Sequence, residues 1–299
     1  MKKVKNTTIK NKRSSNRSVQ TKSKKAKQLA SEMWVTAIKR TWLVAVISLV
    51  SFTTLFSLLP KQTAESLVAK KALIYGDSVT MEPRFKVTEY SATKNGWSHI
   101  VRAWGGTAPC DWITWLPADL ATYQPSIVAI STMGNISVTG CVNDGNGNQL
   151  TMGTQAYYDK YRADLSNFYQ QVTSTGAKVV FLKAPPVQDT TRNNSLNQLH
   201  IIAQEIAGLY HGVSISPAVR NALSNNGKYT QYKNCLSTET STQGCGLDGK
   251  IQIRSYDGLH LCPIVLAAYS TCNTYSSGEF RWSKAAVNAT INPPAPILP

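Results

Sequence analysis

The sequence predicts a three-layer α/β/α domain built on a mainly parallel sheet and preceded by one transmembrane helix. Three observations carry that expectation. From residue 71 onward, short apolar runs alternate with helix-length amphipathic segments; an uncharged 18-residue stretch, Trp42–Leu59, comes before them; and all six cysteines come after it. Strand–helix alternation implies crossover connections, and therefore parallel strands with helices on both faces.

In chain order, residues 1–40 carry 13 Lys and Arg against one acidic residue, Glu32. That segment therefore holds about three quarters of the chain's net charge of +16. Rich in Lys, Ser, Asn and Thr and poor in large apolar residues, it reads as a disordered tail whose partner is an anionic membrane surface. A nucleic-acid partner is not expected, because the tail lacks the interleaved aromatics on which bases stack. Residues 41–60 form the expected membrane helix, since an uncharged run of this length spans the hydrocarbon core. Lys39-Arg40 on its N-terminal flank keeps the tail in the cytoplasm and sends everything after Pro60 outward, as a signal anchor does. A cleaved leader ending near Gln62-Thr63-Ala64 is the competing reading. Residues 61–70 are a linker.

The folded domain is expected over 71–276. Its candidate strands are 72–75, 100–103, 127–132, 178–182 and 213–216. Its candidate helices are 111–123, 154–174, 195–210 and 217–224, with a last one near 263–269. Leu165, Phe168, Tyr169 and Val172 recur at spacings of three and four and give the long helix one apolar face. Lys178–Leu182 is short, β-branched and bounded by Gly and Pro, as a strand buried on both faces should be. Residues 277–299 read as a proline-rich tail, because Asn292-Pro293-Pro294-Ala295-Pro296 cannot join a sheet. An even number of cysteines confined to the outward part predicts disulfides, with Cys110–Cys141, Cys235–Cys245 and Cys262–Cys272 the short-loop pairing among 15 possibilities. No zinc-ligand spacing is present, and neither metal nor cofactor is expected.

Ser78 follows the apolar run Ala72–Tyr75, where a buried strand would turn into a helix and present a hydroxyl at the carboxyl edge of the sheet. Asp257 and His260 stand three residues apart, so one short turn can hold both side chains at one point. A serine hydroxyl becomes a nucleophile when a histidine takes its proton and a carboxylate orients that histidine. The Trp104-Gly105-Gly106 and Met133-Gly134-Asn135 turns each follow a strand and fall on the same edge. Asp77 reads as a helix cap. His99, His200 and His211 have no comparable partner pattern and read as surface or satisfied histidines.

These blocks resemble the SGNH (GDSL-like) hydrolase family. Gly76-Asp77-Ser78 matches its nucleophile block, Gly105-Gly106-Thr107 the block supplying a backbone N–H, Met133-Gly134-Asn135 its Gly-x-Asn block, and Asp257-Gly258-Leu259-His260 its Asp-x-x-His block. Met133 stands where the family usually has glycine, and Ile136 where an aspartate often follows. The resemblance spans residues 71 to about 272. It implies a flavodoxin-like sheet, catalysis by Ser78, His260 and Asp257, and an oxyanion hole made by Ser78, Gly106 and Asn135. It further implies an esterase or O-acyltransferase acting on acylated glycans or other envelope esters through an acyl-serine. Gly106–Asp111 is similar to a stretch in domains that work beside integral-membrane acyltransferases, which makes such a protein an expected partner. A non-catalytic envelope module that binds glycan or a partner on the same fold is the alternative.

Overall fold

The computed structural model describes residues 69–263 and 272–297. They lie in the compact unit Ser66–Pro299. The expected N-terminal tail, the expected membrane helix and most of the expected linker lie outside the described residues, as does the expected helix near 263–269 apart from Pro263. Among the described residues, no helix is long and apolar enough to cross a membrane.

Five strands form one parallel sheet: β1 (Lys70–Gly76), β2 (Trp97–Ala103), β3 (Ile127–Ile130), β4 (Lys178–Leu182) and β5 (Val213–Ser216). Their order is β2-β1-β3-β4-β5, the flavodoxin-like arrangement. β1 sits beside β2 and β3, pairing Ile74 with Val101 and with Ala129, so the order of strands reverses at β1 and opens a crevice at its carboxyl end. Ligands of open α/β sheets bind at such a reversal. Successive side chains alternate between faces. Leu73, Tyr75, Val128, Ile130, Val179 and Phe181 pack under α3 (Pro109–Tyr123), α4 (Gln155–Thr173) and α5 (Thr190–Ala207). Ala72, Ile74, Ala129, Val180 and Leu182 pack against the other face. There they meet Val79 of α1 (Ser78–Met81), Val87 of α2 (Arg84–Ser91), Val219 of α6 (Ala218–Ala222) and Trp282 of α7 (Ser277–Ile291). The three layers expected from sequence are present.

The element boundaries moved for local reasons. α5 begins five residues earlier than expected because Asp189 caps it, accepting from the Arg192 N–H. β2 begins at Trp97 rather than residue 100. α2 was not anticipated. The larger correction is at the end of the chain, where α7 replaces most of the expected tail. Ser276 caps α7 by accepting from the Glu279 N–H, and Trp282, Ala286 and Val287 are buried in the core. The proline-rich run that follows is not free: the Ile297 N–H donates to Val213 O on the outer edge of β5 at 3.1 Å. Its prolines prevent a strand, yet one donor between them still takes a ladder bond.

A short antiparallel ribbon, β6 (Tyr232–Asn234) with β7 (Lys250–Gln252), follows the sheet. All six cysteines are bridged in the short-loop pairing: Cys110–Cys141, Cys235–Cys245 and Cys262–Cys272.

Candidate active site

Three loops leave the carboxyl ends of β1, β2 and β3, and hydrogen bonds tie them into one surface. At the first, Gly76 must be glycine, since a Cβ there would lie 2.1 Å from Thr80 Oγ1. Asp77 then caps α1, as expected, with Oδ1 accepting from the Val79 N–H; its Oδ2 also accepts from the Met133 N–H of the third loop at 2.6 Å. In the second loop, Thr107 Oγ1 donates to Gly76 O and Trp104 O, and the Trp104 N–H donates to Gly76 O. Asn135 Nδ2 donates to Thr107 O at 3.4 Å and joins the third loop to the second.

Ser78 opens α1 and its Oγ lies 3.0 Å from His260 Nε2. His260 Nδ1 lies 2.6 Å from Asp257 Oδ2. The turn that carries this pair is closed by Asp257 itself, whose Oδ1 accepts from the Leu259 and His260 N–H groups. Gly258 has φ +70°, and a Cβ there would strike Gln188 at 2.3 Å, so glycine is needed on both counts. Residues at the two ends of the domain thus meet in the Ser–His–Asp order proposed from sequence.

The residues expected as oxyanion donors lie on the loops tied to the Ser78 turn. A Cβ built on Gly105 would be 3.9 Å from Ser78 Cβ, which puts the second loop against the nucleophile, and Gly106 follows with φ +76°. Arg192 Nη1 donates to Asn135 Oδ1 at 3.4 Å, so the amide is turned with its nitrogen toward the second loop. Met133 does not disturb this block. Its side chain is buried in the core and its N–H serves Asp77. The position that requires glycine here is Gly134, with φ +73° and space for a Cβ only 2.9 Å from Tyr157 Oη.

A family model described as "Protein of unknown function (DUF459)" matches residues 71–264, about two thirds of the chain. The chain belongs to that family. Among curated proteins none matches. Solved structures with a similar course of backbone include TesA (16% identical, TM-score 0.46, covering 75% of this chain and 99% of that one). LAE5, an alpha/beta hydrolase enzyme from the metagenome of Lake Arreo, Spain, is 14% identical with a TM-score of 0.48, covering 77% of this chain and 99% of that one. Axe2, an acetylxylan esterase from Geobacillus stearothermophilus, is 14% identical with a TM-score of 0.45, covering 75% and 94%.

The electrostatics of this DUF459 domain centre on His260. Burial disfavours the imidazolium, but the hydrogen bond to Asp257 and the charges of Glu82, Asp257 and Asp77 outweigh it and raise the His260 pKa. Burial works against the Asp257 carboxylate too, yet the bonds from His260 and two backbone N–H groups hold it well below the ordinary range. Burial alone dominates at Asp77 and Glu82, pushed up to about 6 and about 7.

Sequence reasoning missed three supporting residues of the DUF459 site. Glu82, one turn after Ser78, is buried and accepts from the Leu261 N–H at 2.7 Å. Arg254 is wholly buried and donates to Leu259 O and Pro186 O, which clamps the Asp257–His260 turn between two loops. Arg192 orients Asn135. No local pattern marks them: each is a charged residue of a kind that normally faces solvent. His99 is buried between Ser91 and Thr290 hydroxyls, and His200 accepts from the Ala184 N–H, so both are satisfied; His211 is exposed. Among the described residues, two side-chain groups have the make-up of a metal site, Cys110/Asp111/Cys141 and Cys262/Cys272/Glu279, but their sulfurs are joined in disulfides and offer no thiolate.

Proposed function

We propose that this domain is a serine acyl hydrolase or acyltransferase that carries its acyl group on Ser78. The relay of Ser78 Oγ to His260 Nε2 at 3.0 Å and His260 Nδ1 to Asp257 Oδ2 at 2.6 Å carries the reading. Ser78 Oγ attacks an ester carbonyl while His260 Nε2 takes its proton. The imidazolium then gives that proton to the leaving alkoxide, which departs as an alcohol. Water or a sugar hydroxyl attacks the acyl-serine in the second half, with His260 again as base and then acid. Asp257 holds Nδ1–H toward itself, so Nε2 is the free base. The developing oxyanion is stabilised by the Ser78 and Gly106 N–H groups and by Asn135 Nδ2. Each such donor is worth about 10²–10³ in rate.

The substrate class we favour is an acylated glycan or another cell-envelope ester. The three disulfides support an extracytoplasmic site for this domain. The apolar run 42–59 and the basic residues before it support anchoring by one helix with a cytoplasmic N-terminus. An integral-membrane acyltransferase is the partner proposed, on the likeness of Gly106–Asp111. Ester turnover by the purified protein that Ser78→Ala abolishes, with the folded state retained, is the result expected. Undiminished turnover in Ser78→Ala would end the reading. Reporter fusions after residue 70 test the topology: only an extracytoplasmic reporter should be active.

A further inference from the structure

Trp104, just past the end of β2, is exposed at 37% of its surface. It is also held still. Its ring lies 4.5 Å from that of Trp115, tilted by 58°, and the Arg102 guanidinium lies 4.9 Å over it. Arg102 is fixed in turn by its Nε, which donates to Asp119 Oδ2 at 2.8 Å, and Asp119 by the Tyr75 hydroxyl at 2.6 Å. The bracing therefore runs from the buried side of β1 out to a solvent-facing ring. Its backbone is pinned to Gly76, two residues before Ser78, and a Cβ built on Gly105 next to it would lie 3.9 Å from Ser78 Cβ.

A rigid indole presented to water beside a nucleophile has no role in the core and is poorly explained as general stability. Its chemistry suits the C–H face of a pyranose, which stacks on the face of an aromatic ring that no guanidinium covers while its hydroxyls seek nearby donors. Arg102 supplies those donors. Its Nε donates to Asp119, its side chain is 29% exposed, and its guanidinium lies over the indole, where its remaining N–H groups face the rim of the subsite. We propose that Trp104 and Arg102 form a sugar-binding subsite that receives the glycosyl ring carrying, or about to carry, the acyl group. This deepens the enzyme reading above and rests on it for the ester, while the binding of sugar itself is separately measurable.

The test uses the full-length protein with chitobiose octaacetate as the saccharide ester and p-nitrophenyl acetate and octanoate as esters without a sugar. The ratio of kcat/KM for the saccharide ester to that for the aryl acetate should fall about tenfold in Trp104→Ala, through KM, and recover in Trp104→Phe. In a Ser78→Ala background, calorimetry should show chitobiose octaacetate binding that weakens by a similar factor on adding Trp104→Ala. If that weakening is seen but the wild-type protein turns over no ester, the subsite stands and the enzyme reading falls. If esters are turned over and Trp104→Ala changes neither ratio nor Kd, the subsite falls and the enzyme reading stands. A loss confined to the octanoate ester would make Trp104 a wall for the acyl chain and overturn the proposal.

Discussion

Ser78, His260 and Asp257 were legible one by one, because a nucleophile at a strand end and an Asp-x-x-His turn are local patterns. Glu82 was not, since its meaning depends on a contact 179 residues away, with the Leu261 N–H. It has a measurable consequence. In the proposed mechanism His260 acts as a base only when neutral, and its pKa is raised, so activity should rise with pH through a limb lying above the ordinary histidine range. Glu82→Gln removes one of the negative charges that favour the imidazolium and should move that limb to lower pH. A pH profile of kcat/KM checks it, and an unmoved limb would remove Glu82 from the electrostatics. Asn135→Ala addresses the third donor: kcat should fall about 10²–10³ with little change in KM. Steady-state kinetics on an activated acetate ester read this directly, and an unchanged kcat would leave only the two backbone N–H groups as donors. Met133 illustrates the limit of motif matching. A glycine was expected at that position, but the backbone requirement sits one residue later, at Gly134, where only φ reveals it.

The strands were the most readable elements. Lys178–Leu182 appears with the boundaries expected, because a strand buried on both faces is a continuous apolar run with sharp polar ends, and Val213–Ser216 does so through β-branched Val213 and Ile215 alternating with serine after Gly212. α7 was misread for the opposite reason. Nine of its 15 residues are buried, but all except Trp282 and Val287 are small or polar, and the prolines after it dominated the local signal. The signals were nonetheless there, in Ser276 three residues before Glu279 and Trp282 within the first two turns. Removing the Trp282 side chain should therefore cost about 3–5 kcal/mol, as for a large core residue and not for a tail. Chemical denaturation of Trp282→Ala measures it; a change below 1 kcal/mol, on the order of a surface substitution, would return α7 to the periphery. Its cap also reaches the site, since Ser276 Oγ donates to Leu261 O, next to His260.

For the whole molecule, the reversal of strand order at β1 brings residues from both ends of the domain to one edge, which alternation alone could predict only as a class of fold. Burial of ionisable groups then sets how the molecule responds to pH. Asp77, Glu82 and Glu279 have folded pKa values raised to about 6, 7 and 7, and that of His260 is also raised; each contributes stability that is lost as pH rises through its folded value. His99 and His200, depressed to about 4 and about 3, act in the opposite sense, but chiefly below the ordinary histidine value of about 6.5. Between about pH 6.5 and pH 8 the first group outweighs the second. Tm should therefore fall between about pH 6.5 and pH 8, by differential scanning calorimetry, and a rise over that interval would contradict the burial assigned to these groups.

The proposed enzyme depends on Ser78 being a nucleophile made reactive by His260. Labelling with a fluorophosphonate, followed by mass spectrometry of the intact and digested protein, tests it without a substrate being known, because such a reagent bonds an activated serine and releases fluoride. One adduct per chain, on the peptide holding Ser78, absent in Ser78→Ala and strongly slowed in His260→Ala, is the result predicted. An unlabelled wild-type protein, or an adduct that persists at another residue in Ser78→Ala, would contradict it.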